Sequence, residues 1–311
     1  MKLASGAVVC VIGVGFIGRH LVRACMAAGL RVRVLDRNVC PEEFRGQVEW
    51  IRGDYHALVL LQAALQGANV VYHLVSSTVP GDQHVDVAKE LHDNVVGSLA
   101  LMDACVAAGV SRLVFASSAS VYGVQEHLPV GESAPTNPIS AHGVHKLCVE
   151  KFLLMAHRER GLDVCVLRLA NPYGPGQRLD GRQGFVAIAI GCLKQDARLT
   201  LRDEGRMVRD FVYVQDIADG MLASGLAEDV PRIMNLGAGQ GHSLRHVLQV
   251  IESLAERVCK VDYAAARTID IPSSVLDIVC ARSAIGFNPS TGLEEGVRRT
   301  LRSHGLLATS A

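Results

Sequence analysis

Short β-branched runs that alternate with helical stretches through the first half of the chain predict an α/β fold, a doubly wound parallel sheet with helices on both faces. A glycine-rich turn directly after the first run points the same way, since it joins a buried strand to a helix. From about Tyr173 the texture changes to the Gly/Pro-rich "NPYGPGQRLDGRQG" and to shorter, less regular elements, which predicts a smaller C-terminal substrate-binding region.

The expected strands are "AVVCVI" (7–12), "RVRVLD" (31–36), "VEWI" (48–51), "NVVYHLV" (69–75), "RLVFAS" (112–117) and "LDVCVLRLA" (162–170). They assign residues 1–172 to a nucleotide-binding domain and 173–311 mainly to the substrate region. "RDFVYVQDIADGMLASGL" (209–226) and "IMNLGAG" (233–239) again read as strand, helix and strand, and either could return to the main sheet. The opening "MKLASGAVVCVIGVGFIGRHLV" has the lysine and apolar run of a signal peptide, but its glycines at 13, 15 and 18 mark a buried first strand and a turn instead.

Thirty-one basic and thirty-one acidic residues balance, so no net field draws the chain to nucleic acid or to a membrane. Small molecules are the expected partners. Nine cysteines, odd in number and without a C-x-x-C pair, read as reduced thiols in a cytoplasmic protein with no bound metal.

"GVGFIG" follows a strand and opens a helix, the context in which its glycines allow a tight turn and the close approach of a pyrophosphate. Gly13, Gly15, Phe16, Ile17 and Gly18 are therefore the candidate phosphate turn of a Rossmann domain. Asp36 ends the second strand, where a carboxylate accepts from ribose hydroxyls and repels a 2′-phosphate, favouring NAD over NADP. Arg37 beside it leaves the phosphate alternative open.

With these segments in hand, the chain resembles the extended short-chain dehydrogenase/reductase family, in particular the NAD-dependent sugar-nucleotide epimerases and dehydratases of the UDP-glucose 4-epimerase type. The resemblance rests on "GVGFIG", "GDY" (53–55), "VVYHLVSS" (70–77), "NVVGSLALMDACVAAGVSRLVFASSASVYG" (94–123), "NPYGPGQ" (171–177), "VRDFVYVQDIADG" (208–220), "NLGAG" (235–239) and "LEEGVRRT" (293–300), spanning nearly the whole chain. Where the family begins Thr-Gly-x-x-Gly-x-x-Gly, this chain has Val11 and Ile12 at the first two positions, with Gly13 restoring the turn one residue later. The resemblance implies that Asp54 contacts the adenine amino group, that Leu74 to Ser76 lie under the nicotinamide half, and that Asn94 stands near the cofactor.

The same resemblance implies a catalytic set of Ser118, a tyrosine, and Lys146 four residues after it, the lysine also serving the cofactor. Here "AHGVHK" puts His142 at the tyrosine position. An imidazole reaches roughly 2 Å less far than a phenol, and Lys146 and a cationic nicotinamide disfavour its protonated form. The dehydratase branch follows its active threonine with Asp-Glu, whereas Ala119 and Ser120 stand here, which argues against 4,6-dehydration. His142 and His145 form an H-x-x-H without a third ligand nearby in sequence, too little for a metal site.

On the substrate side the resemblance gives Ser118, Asn171, Arg209 and Arg267, the arginines as forks for a nucleoside diphosphate. Arg267 opens Arg-Thr-Ile-Asp where the family has Arg-Pro-Gly-Asp. The expected activity is 4-epimerisation of a nucleotide sugar. The alternatives are a catalytically weak homologue that binds NAD and sugar nucleotide in a regulatory or assembly role, or a dehydratase or reductase. The helices from about Val85 to Ala108 and Ala141 to Arg160 resemble those of the family's homodimer, with Leu147, Phe152 and Leu153 fitting the seam or the core equally well.

Overall fold

The protein is described by a computed structural model covering residues 6–77, 86–181 and 183–307. Its first half alternates as the β-branched runs require: β1 Val8–Ile12, α1 Phe16–Ala27, β2 Arg31–Asp36, β3 Glu49–Arg52, α2 Leu58–Leu65 and β4 Ala68–His73. A long helical segment follows, α3 Val87–Leu91 running through one π-helical turn, His92–Val96, into α4 Gly97–Ala107. Then come β5 Arg112–Ser118, α5 Ala141–Arg160, β6 Val164–Leu169 and β7 Asn171–Tyr173.

The second half holds α6 Phe185–Gln195, β8 Arg198–Arg202, β9 Val208–Tyr213, α7 Val214–Leu226, β10 Ile233–Leu236, β11 Gly241–Ser243, α8 Leu244–Ala255, β12 Lys260–Ala264, β13 Ser273–Ser274, α9 Val279–Ile285 and α10 Leu293–Ser303. No helix among the described residues is long and apolar enough to cross a membrane. All nine cysteines are free thiols.

Seven strands form one parallel sheet in the order β10-β6-β5-β4-β1-β2-β3. Alternation along β1 sends Val9 and Val11 to one face with Leu21 of α1 and Met221 of α7, and Cys10 and Ile12 to the other with Leu61, Leu101 and Leu153. The order reverses between β1 and β4, so a crevice opens at the carboxyl ends of these strands, the usual ligand position of such a sheet.

Two similar-looking segments part company here. "IMNL" returns to the main sheet as β10 beside β6, and α7 packs on α1, so the chain from beyond residue 173 crosses back into the first region. "RDFVYV" does not return: β9 pairs with β7, β11 and β13 in a separate small sheet, under which α6, α8 and α10 build a third apolar cluster.

Helix α5 is defined at both ends. The Ser140 hydroxyl caps it by accepting from the Gly143 N–H at 3.2 Å, and Gly161 ends it in the left-handed region at φ 70°. Between these ends Glu150 is buried against the sheet, accepting from the Arg168 guanidinium at 2.7 Å and from the Ser117 hydroxyl. Arg168 in turn lies 4.7 Å from the Tyr122 ring centre and donates to the Glu132 carbonyl.

Removing one member of a buried ion pair leaves the other charge without compensation, at a cost of about 3–5 kcal/mol. Arg168→Met should therefore lower unfolding free energy by about that amount in denaturant titration, and Glu150→Gln together with Arg168→Met should lose less. Equal losses in the single and double variants would mean that the pair is not the organising contact.

Candidate active site

The cofactor crevice starts at Gly13, which has φ +90°, where a Cβ would come within 2.8 Å of the Val75 side chain. A Cβ on Gly18 would stand 2.6 Å from the Gly13 carbonyl oxygen, so helix α1 meets the turn at a separation only glycine permits. Gly15 caps α1 without a side-chain acceptor, leaving the first amides, including those of Phe16 and Ile17, toward the turn. The displaced glycine at 13 thus supplies the backbone conformation that Ile12, a strand residue, does not.

Asp36 closes this turn. One carboxylate oxygen accepts from the Val14 N–H at 2.6 Å, and the other accepts from the Asn38 N–H and side-chain amide at 2.7 and 2.8 Å. The first oxygen keeps one lone pair for a ribose hydroxyl. Asp54 accepts from the His56 N–H at 3.0 Å and lies 3.9 Å from the exposed Arg37 guanidinium. Glycines that cannot carry a Cβ, an uncapped helix start and a carboxylate at the second strand's end together fit a dinucleotide.

Leu74 continues the β1 edge by donating its N–H to the Ile12 carbonyl at 2.9 Å. Asn94, in the π-helical turn, receives the Ser77 N–H at 2.8 Å and donates to the Ser77 hydroxyl and the Glu90 carbonyl. It ties the segment after β4 to the helix. Ser76, Asn94 and Lys146 line one small cavity together.

Residues 142, 146 and 150 fall one helical turn apart, and all three are buried and polar. Lys146 donates to the Ala116 carbonyl at 2.7 Å and stands 4.7 Å from the Phe115 ring centre. Burial pulls its ammonium down to about 8 despite the neighbouring Glu150 carboxylate. Burial, with the charges of Lys146 and His145, pulls His142 down to about 3, so its imidazole is neutral at physiological pH. His145 lies 3.9 Å from Glu90, and among the described residues no group of three side chains is arranged to hold a metal.

Ser118 ends β5, and its hydroxyl oxygen accepts from the Ser120 N–H and hydroxyl at 3.2 and 2.9 Å. It opens on a cleft of about 430 Å³ whose wall also holds Asn171, Arg209 and Arg267. The amide of Asn171 donates to the Asp210 carbonyl at 3.1 Å, and Arg209 reaches the Val208 carbonyl at 2.8 Å. Arg267 pairs with Asp270 at 2.7 Å. The wall includes Ile139 and Ser140, whereas His142, in the first turn of α5, is buried and is not among the described residues that line the cleft.

Three residues escaped the motif reading. Arg202 lines the cleft from the end of β8. Asp210 is buried, accepts N–H bonds from Ala238, Gly239 and Leu276 at 2.7, 3.2 and 3.2 Å, and is raised to about 6 chiefly by burial. His20 on α1 contacts the Pro175 carbonyl at 2.9 Å, linking the cofactor helix to the cleft loop. Only Asp210 carried a sequence signal, its place beside Arg209 in "VRDFVYV".

His73 is lowered to about 3 by burial, as His142 is. An unfolded histidine titrates near 6.5, so the unfolded chain binds more protons than the folded one between about pH 6.5 and 3. Stability is accordingly lost as pH falls through that window. Melting temperature should decline from about pH 6.5 downward, and His142→Gln should make the decline shallower; an unchanged slope would contradict the buried neutral imidazole.

The match with known proteins is broad. Residues 9–237 fit the family model "NAD dependent epimerase/dehydratase family". A UDP-glucose 4-epimerase of Azospirillum brasilense is 29% identical, covering 94% of this chain and 89% of that protein. UDP-glucuronic acid decarboxylase 1 of Xenopus tropicalis is 28% identical over 93% of this chain and 70% of its own length. The solved structure of MoeE5 in complex with UDP-glucuronic acid and NAD superimposes with a TM-score of 0.87 at 32% identity, covering 96% of this chain and 99% of that one. With its glycine turn, Asp36 and parallel sheet, the chain belongs to the NAD-dependent epimerase/dehydratase family, the sugar-nucleotide enzymes of the extended short-chain dehydrogenase/reductase type, with NAD as its cofactor.

Proposed function

We propose that this protein is a sugar-nucleotide 4-epimerase acting on a UDP- or related nucleotide-hexose, with His142 at the acid–base position. One observation carries the reading: a single cleft joins the Ser118 hydroxyl and the Asn171 amide to a set of guanidiniums. A polar hydroxyl-binding end continuous with a cationic end suits a sugar diphosphate. β7 and β9 run parallel with Asn171 opposite Phe211, so Arg209 stands two residues back along the cleft from the sugar end.

Gly13, Gly15, Gly18 and Asp36 would hold the dinucleotide, and Lys146 with Asn94 would border its reactive end. NAD, when bound, supplies a hydride acceptor that can return the same hydride, so the cycle needs no net redox partner. The protein's own part is the proton. Ser118 orients the C4 hydroxyl, whose proton passes to the neutral His142 ring as the C–H bond opens, and returns to the same oxygen afterwards. Lys146 opposes the protonated ring, which makes His142 a weak base.

A second reading has its own support: a buried imidazole lowered to about 3, outside the described lining of the cleft, suits a protein that binds NAD and a sugar nucleotide with little turnover. The decarboxylase relative keeps other chemistry in view, although Ala119 and Ser120 speak against 4,6-dehydration. A homodimer through α3–α4 and α5 fits the exposed Leu91, Val96 and Val144; Leu153, by contrast, belongs to the core. The nine free thiols suit the cytoplasm.

His142→Tyr should raise 4-epimerisation by about 10²-fold or more, the usual worth of a positioned acid–base group. Both forms, loaded with NAD, should be assayed against UDP-, dTDP- and GDP-sugars, following product and transient NADH absorbance. A tyrosine variant that binds NAD and a sugar nucleotide yet gains nothing would overturn the role given to position 142.

A further inference from the structure

The cationic end of the cleft holds more than the two arginines that the sequence motifs supplied. β8 alternates, burying Leu199 and Leu201 and turning Thr200 and Arg202 to the cleft. After Arg202 the chain reverses through three successive left-handed residues, Asp203, Glu204 and Gly205, at φ 48°, 51° and 75°. Such a conformation is unfavourable for Asp and Glu and persists only where the surroundings impose it. The turn is fixed by the Arg245 side chain, which donates to the Glu204 carbonyl at 2.9 Å. By this reversal Arg202 at the end of β8 and Arg209 at the start of β9 reach the same cleft.

Arg202 is also joined to the loop that bears Arg267. β12 pairs with β8 so that Ala264 lies opposite Arg202, and the Arg202 guanidinium donates to the next carbonyl, Ala265, at 3.3 Å. Asp270, whose side chain is nearly buried, accepts the Arg267 N–H at 2.8 Å and its guanidinium at 2.7 Å. Burial alone would raise Asp270, yet the Arg267 hydrogen bonds and the Arg202 charge hold it below the usual carboxylate range. The same carboxylate offsets part of the burial that depresses Arg209. One acid therefore lines the same cleft as all three guanidiniums, bonded to Arg267 and within the electrostatic reach of Arg202 and Arg209.

We propose that Arg202 is a substrate-binding residue, the third guanidinium of a site for the diphosphate of a nucleotide, with Asp270 as the internal counter-ion that spaces the three. Among the described residues lining the cleft, these three arginines and Asp270 are the charged ones, leaving two positive charges unmatched. A nucleotide-sugar diphosphate carries two negative charges and completes the balance. Arg267 is engaged with its own loop, whereas among the described residues Arg202 and Arg209 have no carboxylate at ion-pair distance, so these two are best placed to give their forks to the ligand. The proposal rests on the sugar-nucleotide reading above and adds to it the group that Arg202 recognises.

The test uses NAD-loaded wild type, Arg202→Gln, Arg202→Lys and Arg209→Gln, titrated calorimetrically with UDP and with inorganic pyrophosphate. Arg202→Gln should weaken both ligands by about tenfold to a hundredfold, with NAD affinity and melting temperature unchanged. Arg202→Lys, which keeps the charge without the fork, should fall between. UDP weakened with pyrophosphate unaffected would make Arg202 a reader of the base and overturn the assignment. Unchanged binding of both would overturn it as well. If Arg209→Gln loses UDP while Arg202→Gln does not, the sugar-nucleotide reading stands and only the Arg202 proposal fails; if wild type binds neither ligand, both fall.

Discussion

The buried polar stripe on α5 is the constraint from which the rest of the site follows. Burying an ammonium is costly unless it is partnered, and Lys146 is partnered by the Ala116 carbonyl, the Phe115 ring face and the field of Glu150. Glu150 is held by Arg168 and Ser117 on the two neighbouring strands. With two of three successive turns pinned to β5 and β6, the third has no freedom. The residue at 142 must face inward, whatever its chemistry.

That constraint is also why His142 is an unusual occupant. An imidazole reaches roughly 2 Å less far from the backbone than a phenol, and here desolvation with the neighbouring Lys146 and His145 keeps it neutral. The surroundings are otherwise assembled for ligand handling. Asp210 anchors β9 to the segments after β10 and before α9, and His20 couples α1, which follows the glycine turn, to the loop beside the cleft. Cofactor turn and cleft are thus parts of one framework.

The sheet was legible because its strands are short, apolar and β-branched: β1, β2, β3 and β5 fall within a residue or two of "AVVCVI", "RVRVLD", "VEWI" and "RLVFAS". The destination of later strands was not, since "RDFVYV" and "IMNL" have similar local character and differ only in the distant edge each finds. Ser118, Asn171, Arg209 and Arg267 share one cleft, as the motifs imply. Arg202 was hidden because its meaning lies in a strand pairing and a left-handed turn, neither of which residue types announce. Leu153, open between seam and core in sequence, is settled by its packing in the core.

The acid–base position holds an imidazole that stays neutral inside the protein, and the ring itself can report this. Nuclear magnetic resonance of selectively labelled histidine, with the His142 signal assigned through His142→Gln, should follow its ring shifts from pH 5 to 8 in NAD-loaded protein. Shifts that do not move across that range are the predicted result, matching a group lowered to about 3. A titration with a midpoint between 6 and 7 would contradict the account, placing a solvated and basic histidine where a buried, weak one is described.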